Sequence, residues 1–212
     1  CMMQEHHVVE KIRKNYKYEN LVFGTHNIHK FPELFYRTLQ TDDQIIDIWK
    51  ESDEIVEGMP TSRKYSFKTG VSVMFGCNNF CSYCIVPYVR GRERSRELAE
   101  VVREVEEVAV KGFKEVTLLG QNVNSYGKDT NGSDFADLLA AVDKVKGIER
   151  VRYMTSHPRD LSDKAIEVIR NSAHICKHFH LPVQYGSDKL LKAMNRGYTT
   201  DYYRELVKKI RT

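Results

Sequence analysis

Residues 71–84, with the sequence Val71-Ser72-Val73-Met74-Phe75-Gly76-Cys77-Asn78-Asn79-Phe80-Cys81-Ser82-Tyr83-Cys84, join an apolar run to a loop that holds three cysteines. The apolar run at 71–75 is short and is closed by a glycine, which predicts a buried β-strand. Active sites of α/β folds lie on loops at the carboxyl ends of parallel strands. The sequence therefore predicts a chemical site on the loop that follows this strand.

The rest of the chain alternates helices and strands. Apolar residues recur with helical spacing from Leu98 to Val110, and the next apolar run is 115–119. The same patterns then predict, in order, a helix at 135–142, a strand at 151–155, a helix at 163–169, a strand at 178–182, and helices at 189–194 and 201–210. This alternation indicates right-handed βαβ crossovers and a parallel sheet. The predicted fold class is α/β, with about four strands of a TIM-barrel-like (β/α) barrel, fewer than a closed barrel uses.

The first part of the chain is predicted to be a separate small α/β unit. Its patterns indicate a first helix, a strand at 21–23, a helix at 31–39 and a strand at 44–49. Residues 51–68 are charged, contain a glycine and a proline, and lack periodicity, which predicts a linker. The predicted domains are therefore 1–50, the linker 51–68, and 69–212.

The composition is that of a globular chain, since its 212 residues are 41% hydrophobic and 29% charged. No run approaches the roughly 18 apolar residues of a membrane span, and no signal peptide is recognisable. The net charge of +4 permits a nucleic-acid partner without demanding one. An odd count of five cysteines suits a metal site in a reducing compartment better than disulfides. We therefore expect a cytoplasmic protein with no membrane association.

Three thiols within eight residues can surround one compact metal centre. Thiolates are soft ligands that select iron–sulfur clusters or zinc. Because no fourth cysteine lies nearby, a [4Fe–4S] cluster here keeps one iron open, and an open position is typical of a catalytic metal site. Structural zinc sites usually have paired Cys-x2-Cys knuckles, and ferredoxins bring a fourth cysteine. The spacing of three and then two residues favours the open cluster, with zinc as the alternative.

The segment CNNFCSYC at 77–84 resembles the signature of the radical S-adenosylmethionine (SAM) superfamily. Other segments resemble one branch of it, the methylthiotransferases: IVPYVRGRERSR after the last of these cysteines, LLGQNVNSYG at 118–127, SHP at 156–158 and HLPVQYGSDKLLKAMNR at 180–196. FGTHNIHKFPELFY at 23–36 is similar to the branch that modifies N6-dimethylallyladenosine in tRNA. The resemblance covers the whole chain.

The resemblance implies roles for the matching residues. Cys77, Cys81 and Cys84 match the ligands of the radical SAM [4Fe–4S] cluster, whose fourth iron binds SAM. Cys1 has the Cys-Met-x-Gln context of the last ligand of a second [4Fe–4S] cluster, whose other two cysteines are absent from the chain. The positions that match SAM-binding or cavity-wall segments are Tyr83, Gly120, Gln121, Asn122 and Gln184. No catalytic residue is implied beyond the cluster.

The resemblance also implies an enzyme, a transferase of the radical SAM methylthiotransferase family. Its reaction adds a methylthio group to C2 of N6-dimethylallyladenosine in tRNA, through SAM cleavage to a 5′-deoxyadenosyl radical. The implied partners are tRNA, an electron donor such as flavodoxin or ferredoxin, and a sulfur source for the second cluster. The implied architecture is a partial radical SAM barrel, truncated at its C-terminus. It is preceded by the C-terminal part of a methylthiotransferase N-terminal iron–sulfur domain.

Two other functions stay open at this point. A methylthiotransferase of the same class acts on threonylcarbamoyl-adenosine tRNA or on a ribosomal-protein aspartate. A zinc-stabilised nucleic-acid-binding module without catalysis belongs to a different class. The two classes differ in the metal bound at the cysteine loop, which makes that metal the discriminating observation.

Two alternating patterns outside the cysteine loop are also predicted to matter. Arginines alternate along 90–96 and are predicted to bind RNA phosphates or the SAM carboxylate. Histidines alternate with Cys176 along 174–180. This second pattern predicts half-buried residues of a β-strand rather than a metal site.

Overall fold

The computed structural model describes residues 4–50, 52–130 and 132–212. The chain forms two compact units, one of residues up to Pro60 together with Ile85–Gly91, and one of Thr61–Cys84 together with Arg92–Thr212. The predicted domain boundaries at 50 and 69 stay a prediction.

The smaller unit pairs two short parallel strands. Its elements are helix α1 (His6–Asn15), strand β1 (Leu21–Phe23), helix α2 (Phe31–Thr38), strand β2 (Ile45–Asp47) and helix α3 (Val86–Arg90). In the pairing of β1 with β2, Leu21 lies opposite Ile45. Buried Asn27 links the turn after β1 to β2, because its side chain accepts from the Gly24 N–H at 3.0 Å and donates to the Asp47 carbonyl at 2.8 Å.

The larger unit is built around a three-stranded parallel sheet. Its elements are β3 (Lys68–Ser72), β4 (Met74–Phe75), β5 (Arg94–Ser95), α4 (Leu98–Val110), β6 (Glu115–Leu119), α5 (Phe135–Asp143), β7 (Arg150–Tyr153), α6 (Asp163–Asn171), α7 (Asp188–Ala193) and α8 (Thr200–Arg211). The strand order is β3-β6-β7, and a helix lies in each crossover between neighbours. This arrangement confirms the predicted α/β class with a parallel sheet.

The two faces of this sheet differ because side chains alternate along each strand. Val116 and Leu118 are fully buried in one core with residues of α4, α5 and α6. The opposite face carries charged side chains. Arg150 and Arg152 both form ion pairs with Glu115 there, at 3.1 and 3.2 Å. The sheet therefore has a helix-covered face and a polar face.

Side-chain caps fix where two of the helices begin. The Ser162 hydroxyl accepts from the Ala165 N–H at 3.1 Å at the start of α6. At the start of α5, Asp134 and Asp137 each accept from the backbone N–H of the other. Such caps contribute about 1 kcal/mol each because they satisfy N–H groups that the helix leaves open. None of the helices in the described ranges has the length and apolar composition that crossing a membrane requires.

Helix α4 and strand β6 have the predicted bounds. The single strand predicted at 71–75 is wrong, because the chain changes partner at Val73. Its N–H donates to the Leu119 carbonyl at 2.8 Å, and its carbonyl accepts from the Arg96 N–H at 3.0 Å. β3 therefore ends in the parallel sheet at Ser72, and β4 pairs antiparallel with β5.

The fourth strand, predicted at 178–182, is also wrong. Among the described residues, pairing beyond β7 is limited to an isolated parallel bridge between Val151 and Ile175. In the segment 178–182 a side chain bonds the backbone instead. The Tyr203 hydroxyl donates to the Leu181 carbonyl at 2.8 Å. The described parallel sheet of this unit consequently has three strands, not about four.

Candidate functional site

The cysteine loop, residues 76–84, follows β4. Gly76 has a φ of 76°, a left-handed conformation that glycine adopts without steric cost. Its N–H donates to the Gln121 side-chain oxygen at 2.6 Å, which fixes the start of the loop to the segment after β6. At the other end, the Cys84 N–H donates to the Cys81 carbonyl at 2.9 Å. Cys77 and Cys81 are buried, Cys84 is half-buried, and all three are free thiols.

The middle of the loop is held by the segment after α7. Phe80 has a φ of 45°, which is rare for a residue with a side chain. The Asn195 amide donates to the carbonyls of Asn79 and Phe80 at 3.1 and 3.0 Å. The Ser82 N–H also donates to the Met194 carbonyl at 3.2 Å. These three bonds hold the loop backbone in its unusual shape.

Glu93 supports the first cysteine from the other side. Buried Glu93 accepts from the Asn78 N–H, and the Asn78 side chain accepts from the Glu93 N–H, both at 3.2 Å. Burial raises the pKa of the Cys77 thiol, and the Glu93 charge raises it further against the opposing hydrogen bond from Asn79. Deprotonation of the Cys77 thiol is therefore disfavoured unless a positive charge lies close to the sulfur.

A positive charge lies beside the second cysteine. The guanidinium of Arg196 is buried, and its Nη1 donates to Cys81 Sγ at 3.2 Å and to the Tyr83 hydroxyl at 3.4 Å. Its Nε donates to the Tyr198 hydroxyl at 3.3 Å. Arg196 therefore connects the loop to the start of the segment that leads into α8.

Asp160 is the centre of a buried polar network next to the loop. Its carboxylate accepts from Asn122 Nδ2 at 2.7 Å, from Lys128 Nζ at 2.5 Å and from Asn79 Nδ2 at 3.5 Å. Burial by itself raises the pKa of Asp160, but the hydrogen bonds from Lys128 and Asn122 outweigh it and leave the pKa lowered. The network joins the ends of β6 and β7 to the cysteine loop through one ionised carboxylate.

His157 is buried beside this network. Its Nδ1 accepts from the Arg159 N–H at 3.3 Å, and its Nε2 has no hydrogen-bond partner among the described residues. Burial lowers the pKa of His157 to about 4, and the positive charges of Arg196 and Arg159 contribute to the lowering. The imidazole is therefore neutral at pH 7.

Comparison with known sequences identifies the family. The Radical SAM superfamily profile matches residues 71–212, which is well over half of the chain. The chain belongs to the radical SAM superfamily. Members of this superfamily use a [4Fe–4S] cluster and SAM, and the matched residues of this radical SAM protein include the cysteine loop.

Curated relatives match along the whole chain. The tRNA-2-methylthio-N(6)-dimethylallyladenosine synthase of Lachnoclostridium phytofermentans is 58% identical over 212 residues, which is 100% of this chain and 46% of that protein. The synthase of the same name from Alkaliphilus oremlandii is 55% identical over 100% of this chain and 45% of its own length. The chain thus spans about half the length of these relatives.

A solved structure has the same fold at low sequence identity. The radical SAM methyltransferase TsrM from Kitasatospora setae, with tryptophan and a SAM analogue bound, superposes with a TM-score of 0.55 at 20% identity. The match covers 69% of this chain and 28% of TsrM. At this identity the likeness concerns the fold alone.

The donor set of this radical SAM protein fits a cluster. Three soft thiols lie on one loop, and a buried guanidinium balances the negative charge that bound thiolates carry. No group of three or more His, Cys, Asp or Glu side chains in 4–50, 52–130 and 132–212 is gathered as ligands of a single metal ion. One zinc needs sulfurs about 3.8 Å apart, whereas a cubane binds each cysteine through a different iron. The family match, rather than the geometry of the loop, is what disfavours the zinc alternative.

Of the other predicted site residues, some lie next to the cysteine loop and its polar network and others do not. The Gln121 side-chain oxygen accepts from the Gly76 N–H of the loop, and the Asn122 side-chain nitrogen donates to Asp160. Asn122 Oδ1 has no partner among the described residues. Gly120 packs closely on Met74, because a Cβ atom added to Gly120 lies 2.5 Å from Met74 Cγ. Gln184 is exposed and forms no hydrogen bond with the described residues. Cys1 lies outside the described residues.

Two arginines of the run at 90–96 contact other parts of the larger unit. Arg96 is buried and donates to the Ser72 carbonyl at 2.6 Å and to Glu104 at 2.7 Å, so the phosphate-binding prediction is wrong for this residue. Arg92 lies over the Phe80 ring, 4.6 Å from its centroid. Arg96 has a packing role and Arg92 covers the cysteine loop.

The histidine pattern at 174–180 is also corrected in part. Cys176 is half-buried as predicted, but His178 and His180 are exposed because no strand forms there. These three side chains line a cavity of about 150 Å³ with Thr117 and Arg152, on the polar face of the sheet. In the described ranges this cavity has no metal-ligand grouping.

Sequence reasoning missed Asn195, Arg196 and Asp160, which bond the loop, and His157, which is buried next to Asp160. His157 lies within the motif SHP, Asp160 follows it, and Asn195 and Arg196 lie within KAMNR. A motif match does not reveal which residues are in contact. Their positions directly after β7 and α7 were the available signal, since site residues collect at such ends.

Proposed function

We propose that this chain is part of a methylthiotransferase that adds a methylthio group to C2 of N6-dimethylallyladenosine in tRNA. The observation that carries the proposal is the free-thiol loop 76–84, which meets the ends of β6 and β7 in a chain of the radical SAM superfamily. The substrate class rests on relatives of that printed name, which are 55% and 58% identical.

In this proposal Cys77, Cys81 and Cys84 each bind one iron and leave the fourth for SAM. A reduced cluster, when bound, supplies the electron that cleaves SAM and so provides the 5′-deoxyadenosyl radical. Gln121 bonds the start of the loop, Asn122 bonds Asp160, and the free Asn122 Oδ1 is the acceptor that we assign to the SAM amino group.

Further assignments belong to the same proposal. Tyr83 and Gly120 border the SAM site, Gln184 lies on the cavity wall, and Cys1 is the last ligand of a second [4Fe–4S] cluster that donates sulfur. The partners are tRNA, an electron donor such as flavodoxin or ferredoxin, and a sulfur source for the second cluster. We infer a cytoplasmic location for this chemistry. We propose that residues 1–50 are the C-terminal part of an iron–sulfur domain, that 51–68 are a linker, and that 69–212 are part of the radical SAM domain.

The ligand assignment is tested by single cysteine substitutions in anaerobically reconstituted protein. Wild-type protein is expected to be brown, to absorb near 400 nm and to release 5′-deoxyadenosine from SAM with dithionite, as a cluster with an open iron does. Cys77→Ala, Cys81→Ala and Cys84→Ala each lose both signals. The matched control is Cys176→Ala, which removes a thiol outside the loop and keeps both. A colourless wild-type protein with one bound zinc contradicts the proposal and supports the binding module.

The substrate assignment needs a separate assay. Full-length protein is incubated with tRNA that carries N6-dimethylallyladenosine, and with tRNA that carries threonylcarbamoyl-adenosine. Mass spectrometry of the digested tRNA is expected to show a methylthio product only from the first. Product only from the second contradicts the substrate assignment and leaves the cluster assignment intact.

A further inference from the structure

Arg196 is a buried cation that faces the cluster loop. Its side chain belongs to a residue that is 5% exposed, and Nη1 lies 3.2 Å from Cys81 Sγ. Its side-chain hydrogen bonds go to the sulfur of Cys81 and to the hydroxyls of Tyr83 and Tyr198, and no carboxylate forms an ion pair with it in the described part of the chain. Tyrosine hydroxyls are neutral at pH 7. The sulfur of Cys81 is therefore the natural anionic partner of this guanidinium.

The energetics of burial make that partner necessary. A buried charge without a counter-charge is strongly unfavourable, and removing one member of a buried pair leaves the other uncompensated. A neutral thiol at Cys81 gives little compensation. A thiolate bound to a cluster supplies a full negative charge at the same place, and reduction of the cluster adds another.

The guanidinium is also fixed in position. Its Nε donates to the Tyr198 hydroxyl at 3.3 Å, and the ring of Tyr198 lies 5.4 Å from the guanidinium carbon. The Tyr198 hydroxyl in turn donates to the Val183 carbonyl at 2.6 Å. A donor held in this way keeps its bond to Cys81 in both oxidation states of a cluster.

We propose that Arg196 donates a charge-assisted N–H···S bond to the cluster thiolate of Cys81 and thereby raises the reduction potential of the cluster. Hydrogen bonds to ligand sulfurs and the local net charge are two of the protein's controls on this potential. Arg196 stabilises the reduced, more negative state more than the oxidised state. It is a positioning and tuning residue, and it rests on the proposed assignment of Cys81 as a ligand.

The test compares reconstituted wild-type protein with Arg196→Gln, Arg196→Met and the control Arg204→Met. Glutamine keeps an N–H donor without the charge, and methionine removes both. Arg204 is exposed on α8 and pairs with Asp201. Redox titration followed by EPR measures the midpoint potential, and circular dichroism and iron content report fold and loading. We expect Arg196→Met to lower the equilibrium constant for one-electron reduction about tenfold or more, which is 59 mV for a one-electron couple. Arg196→Gln is expected to be intermediate and Arg204→Met unchanged.

A second measurement uses only the wild-type chain. Protein labelled with 15N at its arginine guanidino groups is reduced and studied by pulsed EPR, where a hydrogen bond to Cys81 gives a resolved 15N coupling. Absence of this coupling in a loaded, reduced protein overturns the proposal even if the variants fail to fold. Unchanged potentials in folded, loaded Arg196→Gln and Arg196→Met also overturn it, and weaker SAM binding at an unchanged potential does the same. A wild-type protein that binds no cluster instead refutes the ligand assignment of Cys81.

Discussion

Phe80 keeps a left-handed backbone conformation because a side chain 115 residues further along the chain bonds its carbonyl. Asn195 provides that bond and is itself left-handed, with a φ of 54°. Asn195→Gly preserves the backbone and removes both amide bonds, so we expect a loss of about 1–2 kcal/mol. Asn195→Ala is expected to lose about 1 kcal/mol more, because alanine is strained in this conformation. Anaerobic urea unfolding measures both values.

The same variants test what the bonds do for the loop. A looser loop is expected to release iron to a chelator faster, in the order wild type, Asn195→Gly, Asn195→Ala. The exposed Asn171→Gly, at the end of α6, is the control for losing an asparagine side chain. Iron release at the wild-type rate in both Asn195 variants would show that the loop does not depend on this residue.

The buried imidazole of His157 is expected to make the free energy of unfolding depend on pH. Its folded-state pKa is about 4, below the ordinary value of 6.5, so the unfolded chain binds the proton first. Stability is therefore full above about pH 6.5 and falls as the pH drops toward 4. The difference between these pKa values corresponds to at most about 3 kcal/mol.

His157→Gln is expected to flatten this pH dependence. Urea unfolding of wild type and variant from pH 4.5 to 7.5 gives the two slopes of stability against pH. The exposed His6→Gln removes a histidine without burial and is expected to keep the wild-type slope. Parallel slopes for wild type and His157→Gln are the outcome that contradicts a neutral buried imidazole.

At the scale of elements, the segment 178–182 shows how a tertiary contact replaces a strand. The Tyr203 hydroxyl on α8 donates to the Leu181 carbonyl at 2.8 Å, where a strand neighbour is absent. Tyr203→Phe is expected to lower the free energy of unfolding by about 1 kcal/mol, because a carbonyl loses its donor. Tyr202→Phe is the matched control, since its contact with the Pro158 carbonyl is longer, at 3.4 Å. Equal losses in the two variants contradict the specific role of Tyr203.

The elements predicted with the right bounds are those whose apolar spacing is set by neighbouring residues in the sequence. Helix α4 has valines at 101, 105 and 108 on one buried face, a helical spacing that needs no knowledge of distant residues. The run at 71–75 has the apolar character of one strand, but Val73 changes partner between Leu119 and Arg96, which are far along the chain. The strand at 178–182 failed for the same reason, because the Leu181 carbonyl bonds to Tyr203 on α8.

The same division applies to the site. The three cysteines are close in sequence, so their spacing predicted a metal site. Arg196 lies 115 residues from Cys81, and Asp160 lies 81 residues from Asn79, so no local pattern joins them. Only the fold brings these residues to the loop.

At the scale of the whole molecule, the two compact units differ in where their cores lie. Every fully buried member of the main hydrophobic core falls between Val71 and Leu206. The segment 52–67 contains no helix or strand, and its second half is tied to the larger unit, where Arg63 pairs with Glu104 at 3.0 Å. Asp53 and Glu54 are exposed and lie in this segment without helix or strand.

Limited digestion by a protease that cuts after glutamate is therefore expected to cleave first at Glu54. Cleavage needs an extended, accessible backbone, and glutamates within helices such as α4 lack one. Mass spectrometry should identify a resistant product that begins at Ile55, and this product should keep a cooperative urea transition because it contains the whole main core. Glu54→Gln is expected to slow its appearance, while Glu107→Gln on α4 leaves the rate unchanged. Early cuts within 98–110 would mean that the larger unit does not fold as one body.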